Sequence, residues 1–220
     1  MKILCISDIV DPLVYSPQIK ERFTDVDLIL SAGDLPMDYL DYIISSLNKP
    51  LYFVFGNHQT EELKHYRNLW NTPFVEYNNE YLGCGAVHLG SRVKKTDKKL
   101  IIAGFGGCMQ YNNGINQFSD FQMFIEIIKI IPRLLWNRII HGRFIDLLLT
   151  HAPPKGIHDR KDRCHCGFKT FLWFMQTFKP LYLVHGHVHL YDLSDIRCTK
   201  WKNTTVVNAY SHYVLNFGDQ

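Results

Sequence analysis

Three runs near the start of the chain constrain its fold more than any other feature. Lys2–Ile6, Asp27–Leu30 and Leu51–Phe55 are apolar through their length and do not alternate with polar residues. A strand with one wet face alternates; a strand covered on both faces does not. Between the runs lie segments with helical signals: "SPQIKERF", with Ser16 as cap and Pro17 at the first helical position, and "PMDYLDYIISSL". Helical signals resume at Thr60–Trp70. The order β-α-β-α-β-α with short connections predicts a parallel sheet buried between helices.

The middle of the chain, "VEYNNEYLGCGAVHLGSRVKKTDKKLIIAGFGG", reads as a meander leading to a strand at Leu100–Phe105. "SDFQ" at Ser119–Gln122 is a capping box that opens a helix from Asp120 to about Ile131, where Pro132 ends or kinks it. Strand Ile145–Leu149, helix Phe168–Phe178 and strand Leu181–Val184 follow, then β-rich segments to Phe217. With 220 residues and no repeat or linker, one domain over residues 1–220 is expected.

Charge excludes little. The net charge of +3 is too mild to imply nucleic acid, and the run "RVKKTDKK" reads as a solvated hairpin turn. Nucleic acid stays open as a partner because Arg133–Arg143 is basic, although a helix packed on the sheet explains that equally well. "FIEIIKIIPRLLW" carries Glu126, Lys129 and Arg133 in a span too short to cross a bilayer, so no membrane partner is expected. Asp8 interrupts any secretory core, which points to the cytoplasm. Cys164-His165-Cys166 lacks the second close pair that a structural zinc site needs.

What stands at the strand ends is more informative. The first strand delivers Asp8, "LILSAGD" delivers Asp34, and "LYFVFGNH" delivers Asn57 and His58. "IDLLLTH" delivers His151, and "LYLVHGHVH" delivers His187 and His189. Ligands bind outside the carboxyl ends of strands in open α/β sheets. Carboxylates, an amide oxygen and imidazoles suit Mn²⁺, Fe, Zn²⁺ or Co²⁺, and their number suits two ions about 3.5–4 Å apart. Singly, Asp8 and Asp34 also read as helix caps and Asn57 as a turn residue. His185, inside its strand, reads as a structural histidine.

The ordered blocks "SD…GD…GNH…TH…GHVH" resemble the calcineurin-like metallophosphoesterase superfamily over nearly the whole chain. The resemblance implies an α/β fold, a four-layer αββα sandwich of two mixed β-sheets flanked by helices. It implies that Asp8 and His189 hold a first metal, that Asp34 bridges both, and that Asn57, His151 and His187 complete the second. It implies hydrolysis of a phosphomono- or phosphodiester by a hydroxide bridging two divalent ions, most simply Mn²⁺, with Mg²⁺, Fe or Zn²⁺ as alternatives. His58 would face the scissile phosphate as the catalytic acid.

The pattern breaks once. The family's first block is Asp-x-His, and here it is Asp8-Ile9-Val10. Two readings follow: an active enzyme with one ligand changed, or a catalytically inactive scaffold of the same fold. Asp11, immediately after, would supply the missing contact or cap the following loop. The polar segment Ala152–Phe168 begins beside His151, which makes His158 and Asp162 expected substrate contacts at a rim, or else parts of a solvated loop.

Overall fold

The computed structural model describes residues 1–58, 63, 85–192 and 194–218. The helix expected at Thr60–Trp70 and the first part of the meander lie outside the described residues. Two large mixed sheets carry the fold. The first runs β13-β1-β2-β3-β4, from β1 (Lys2–Ser7), β2 (Leu28–Ser31), β3 (Leu51–Phe53), β4 (Val87–His88) and β13 (Ser211–Asn216). The second runs β11-β12-β10-β9-β6-β5, from β5 (Arg92–Lys95), β6 (Ile101–Phe105), β9 (Leu147–Thr150), β10 (Tyr182–His185), β11 (Cys198–Trp201) and β12 (Thr204–Asn208). A short parallel pair, β7 (Cys108–Met109) and β8 (Gln117–Phe118), follows β6.

Central pairings are parallel, and three of the four edge strands are antiparallel, β4 being the parallel one. β1, β2, β3 and β4 pair in parallel, while β13 closes on β1 antiparallel. β6, β9, β10 and β12 pair in parallel, flanked by antiparallel β5 and β11.

Side-chain alternation builds the layers. On β1, Ile3 and Cys5 enter the core between the sheets, while Leu4 and Ile6 face the helices α1 (Ile19–Phe23) and α2 (Met37–Leu47). On β9, Leu147 and Leu149 meet that same inter-sheet core from the other side. Leu148 instead packs with Met123, Ile127 and Leu134 of α3 (Asp120–His141) and with Phe171 and Phe174 of α4 (Lys169–Phe178). Both faces of both sheets are therefore covered, which is why the strands read as unbroken apolar runs.

Two helix boundaries differ from expectation. α1 starts at Ile19 behind Gln18, and Ser16 Oγ donates to Leu13 O at 3.2 Å instead of capping it. α3 passes through Pro132 and continues to His141, where Gly142 in the left-handed region closes it. Proline costs an interior helix a hydrogen bond. Here the buried row Met123, Ile127, Ile130, Leu134 and Asn137 continues on both sides of it, so packing on the sheet holds the helix together across the gap. The capping box at Ser119 and Gln122 is formed in both directions.

Candidate metal centre

Three of the site residues stand in backbone conformations that side chains rarely adopt. Asp8, Asp34 and His187 have φ of 68°, 56° and 67°. Such positions cost about 1–3 kcal/mol each and persist where the surroundings over-determine them, typically at functional sites. Each follows the end of a parallel strand, where the chain must turn sharply to aim a side chain across the sheet edge. Glycines make room: a Cβ on Gly186 would lie 2.7 Å from Asp8 Oδ2, and one on Gly56 would overlap the Asp34 carboxylate.

The sheets bring Asp34, His151 and His187 together, with one ligand atom from each within 4.8 Å of the others. His151 Nδ1 donates to Ala32 O at 2.7 Å. Its Nε2 lies 3.2 Å from Asp34 Oδ2 and 3.1 Å from Asn57 Oδ1. Asn57 Nδ2 points the other way, to Tyr111 Oη at 3.4 Å, which assigns Oδ1 to the cluster. His187 Nε2 donates to Cys164 O at 2.7 Å, which leaves Nδ1 as its lone-pair nitrogen. A backbone carbonyl thus fixes the outer nitrogen of each histidine, the arrangement that orients imidazoles for a metal.

Electrostatics agree with a cation site. Burial opposes the charge of Asp34, yet the imidazole of His151 and the His58 N–H overcome it and hold its carboxyl down to about 2. Burial likewise opposes protonation of His151, but Asp34 and then Asp8 push it up to about 9. Burial raises Asp8, against the pull of His151 and with Asp34 adding to the rise. His187 is pushed down to about 3 by burial, with His151 beside it adding to the shift. The protonated Nε2 of His151 therefore stands where carboxylate and amide oxygens converge. Two carboxylates, an amide oxygen and imidazoles are a donor set that a divalent ion fits.

The other sequence candidates are placed as follows. Asp8 accepts the His187 N–H through both oxygens, at 2.9 and 3.0 Å. His58 donates its backbone N–H to Asp34 Oδ1 at 2.9 Å and leaves its side chain exposed. His189 stacks on Tyr210 at 4.7 Å and its Nδ1 meets Tyr191 Oη at 2.8 Å. Val10 is 41% exposed.

Asp11 is not brought to the cluster. Its Oδ1 accepts from Leu13 N at 2.7 Å, and its Oδ2 takes Ser211 Oγ and His212 Nδ1, the latter at 2.5 Å. It caps its own loop and ties that loop to β13. Burial works against its charge, but the hydrogen bonds from Ser211, His212 and Leu13 hold its carboxyl below the ordinary range. A depressed folded-state value stabilises above the ordinary aspartate pKa of about 3.9 and is lost as pH falls below it. Asp11→Asn is therefore expected to cost about 1–3 kcal/mol near neutral pH, with metal content unchanged. The gap to the parent should close below about pH 4 in denaturant titrations. A variant that lost metal while keeping its stability would return Asp11 to the metal.

His158 and Asp162 are engaged within the fold. His158 Nδ1 lies 2.9 Å from His185 Nε2, and its Nε2 lies 2.8 Å from Thr199 Oγ1. His185 Nδ1 in turn lies 2.9 Å from Gly186 O. Because that carbonyl can only accept, the chain runs Thr199 O–H to His158, His158 N–H to His185, and His185 N–H to Gly186. Burial pushes His158 down to about 4 and His185 to about 3, so both are neutral, as these bonds require. Asp162 accepts His165 N at 3.0 Å and His165 Nδ1 at 2.8 Å, closing a turn. The segment holds the Gly186–His187 turn in place.

Tyr111, Tyr210 and the Cys164 carbonyl touch site residues but were not expected from the sequence. The glycine pair following β6, Gly106-Gly107, was the available signal for Tyr111: a sixth strand end whose backbone turns tightly toward the site.

The fold is of the metallophosphoesterase kind. Residues 1–191 match the family model described as calcineurin-like phosphoesterase, and the chain belongs to that family. One crystal structure superposes over 99% of this chain and 99% of its own, with a TM-score of 0.65 at 14% identity. The crystal structure of TT1561 of Thermus thermophilus covers 96% of this chain and 89% of its own, with a TM-score of 0.62 at 14% identity. At these identities the likeness concerns the fold. No curated protein sequence matches the chain. Among the described residues, no helix is long and apolar enough to cross a membrane.

Proposed function

We propose that the protein hydrolyses a phosphomono- or phosphodiester at a two-metal centre. The observation that carries this reading is the convergence of Asp34, His151 and His187 in a chain of this family. Asp34, His151, His187 and Asn57 Oδ1 would hold one ion. Asp8 and His189, with Asp34 shared, would hold the other, and solvent would take the place opened by Val10. Divalent ions, Mn²⁺ foremost, supply an activated water at neutral pH and neutralise the phosphoryl oxygens. The chain's own contribution is orientation and proton management. The Asp34 carboxylate fixes the backbone of His58 while its ring stays exposed, so the ring can meet an ester oxygen at the rim and give it a proton.

A scaffold reading draws on Val10 and on His189, whose Nδ1 is turned to Tyr191. One experiment separates the two. Metal analysis of the purified chain is followed by turnover of aryl phosphomonoesters and phosphodiesters with added Mn²⁺, with and without chelator. Hydrolysis that a chelator abolishes and Mn²⁺ restores is the expected result. Two bound ions without turnover on any ester would favour the scaffold.

A further inference from the structure

The long helix α3 is apolar on both of its faces. Its inner row, Met123, Ile127, Ile130 and Leu134, is buried against the second sheet. Its outer row is Phe121, Ile125, Ile128, Leu135, Trp136 and Ile139, exposed by 71, 40, 42, 50, 55 and 75%. These positions recur at helical steps bridged by Pro132. At 3.6 residues per turn they fall within about 60° of the helix's outward pole. A helix apolar all round is normally buried all round. Here one side faces solvent over most of 22 residues.

The charge beside this row has one sign where it faces outward. Lys129 and Arg133 flank the row on one side and Arg138 on the other. The helix's two acids are turned inward: Asp120 accepts Thr170 N and Oγ1 at 3.1 and 2.8 Å, and Glu126 accepts Ser91 Oγ at 2.6 Å and Lys129 Nζ at 2.5 Å. The β5–β6 hairpin adds to the same end. Lys95 Nζ lies 3.4 Å from His141 Nε2, and Arg143 Nη2 donates to Lys99 O at 3.0 Å. Lys94 and Lys95 are exposed, against Asp97 in the turn and Asp146, which pairs with Arg143. The basic run of the sequence and the basic end of the helix thus form one collar around one end of an apolar stripe.

We propose that α3 is a docking surface for an anionic lipid bilayer, lying in its interface with the outer row inserted. An apolar stripe with an aromatic residue and cationic flanks is the chemistry of interfacial helices, and anionic headgroups complement the flanks. A second copy of the chain is disfavoured by the same charges. Across a two-fold axis Arg133 and Arg138 would face a cationic surface, with Asp120 and Glu126 already engaged in their own fold. The surface contact departs from the sequence-based expectation of no membrane partner, which rested on the lack of a spanning segment.

The test is flotation of the full chain with phosphatidylcholine vesicles and with vesicles containing about one third phosphatidylglycerol, at low and high salt. Binding to the anionic vesicles alone, weakened by salt, is expected, together with a blue shift of tryptophan fluorescence. I128E/I139E should reduce that binding at least about tenfold with melting temperature unchanged, since both side chains are exposed. K94E/K95E should reduce it less. Failure of the parent to float, equal binding by I128E/I139E, or capture of duplex DNA in preference to vesicles would overturn the proposal. So would a parent dimer, seen by light scattering, that I128E/I139E converts to monomer.

Discussion

Asp34→Asn is expected to remove most of the phosphoesterase activity, by roughly 10³-fold in kcat/KM, and to lower the metal content of the chain. Metal-ion catalysis supplies several kcal/mol of transition-state stabilisation, and each 1.36 kcal/mol is about tenfold in rate. Asp34 ties two parts of the site together through its two oxygens. Oδ2 faces His151 Nε2 at 3.2 Å, and Oδ1 accepts the His58 N–H at 2.9 Å. The substitution keeps shape and volume, so Gly56 still fits beside it. It removes the charge that holds His151 protonated in the metal-free chain and that two cations would share. Elemental analysis and turnover should fall together. A variant that kept both its metal and its rate would displace Asp34 from the centre of the site.

How far this arrangement was visible in the chain depends on whether its physical cause is local. The runs Lys2–Ile6 and Leu51–Phe55 announced their strands because burial on both faces leaves no polar alternation. The strand-end residues Asp8, Asp34, Asn57, His151 and His187 followed, since a parallel sheet presents all its carboxyl ends on one edge. The extension of α3 through Pro132 was not readable, because its cause is the buried row that resumes at Leu134 against the second sheet. Asp11 and His158 show the same limit more sharply. Asp11 is fixed by Ser211 and His212, some 200 positions away, and His158 by Thr199, 41 positions away. No local pattern encodes such partners, and a polar residue near a site reads alike whether it meets substrate or another strand.

The outer row of α3 makes the converse point. A sequence pattern of apolar residues all round a helix is normally resolved by burial on all sides. Only the position of α3 at the outside of the second sheet shows that one side has nothing over it among the described residues. The polar face that a surface helix usually carries is here divided into two cationic margins.

His58→Ala is expected to lower kcat by about 10²-fold or more, the range for loss of a positioned general acid, while both metal content and melting temperature stay near the parent's. The geometry separates these readouts. What ties His58 to the cluster is its backbone N–H on Asp34 Oδ1, which alanine retains. Its side chain is exposed and absent from the group Asp34, His151 and His187, so its removal opens no cavity and leaves those three groups in place. The loss should therefore fall on kcat, and it should be largest for esters with poor leaving groups, whose departing oxygen most needs a proton. Activated aryl esters, which leave as stable anions, should lose less. That dependence is the deciding measurement. An equal loss on good and poor leaving groups would assign His58 to charge stabilisation alone, and a fall in metal content would make it a ligand.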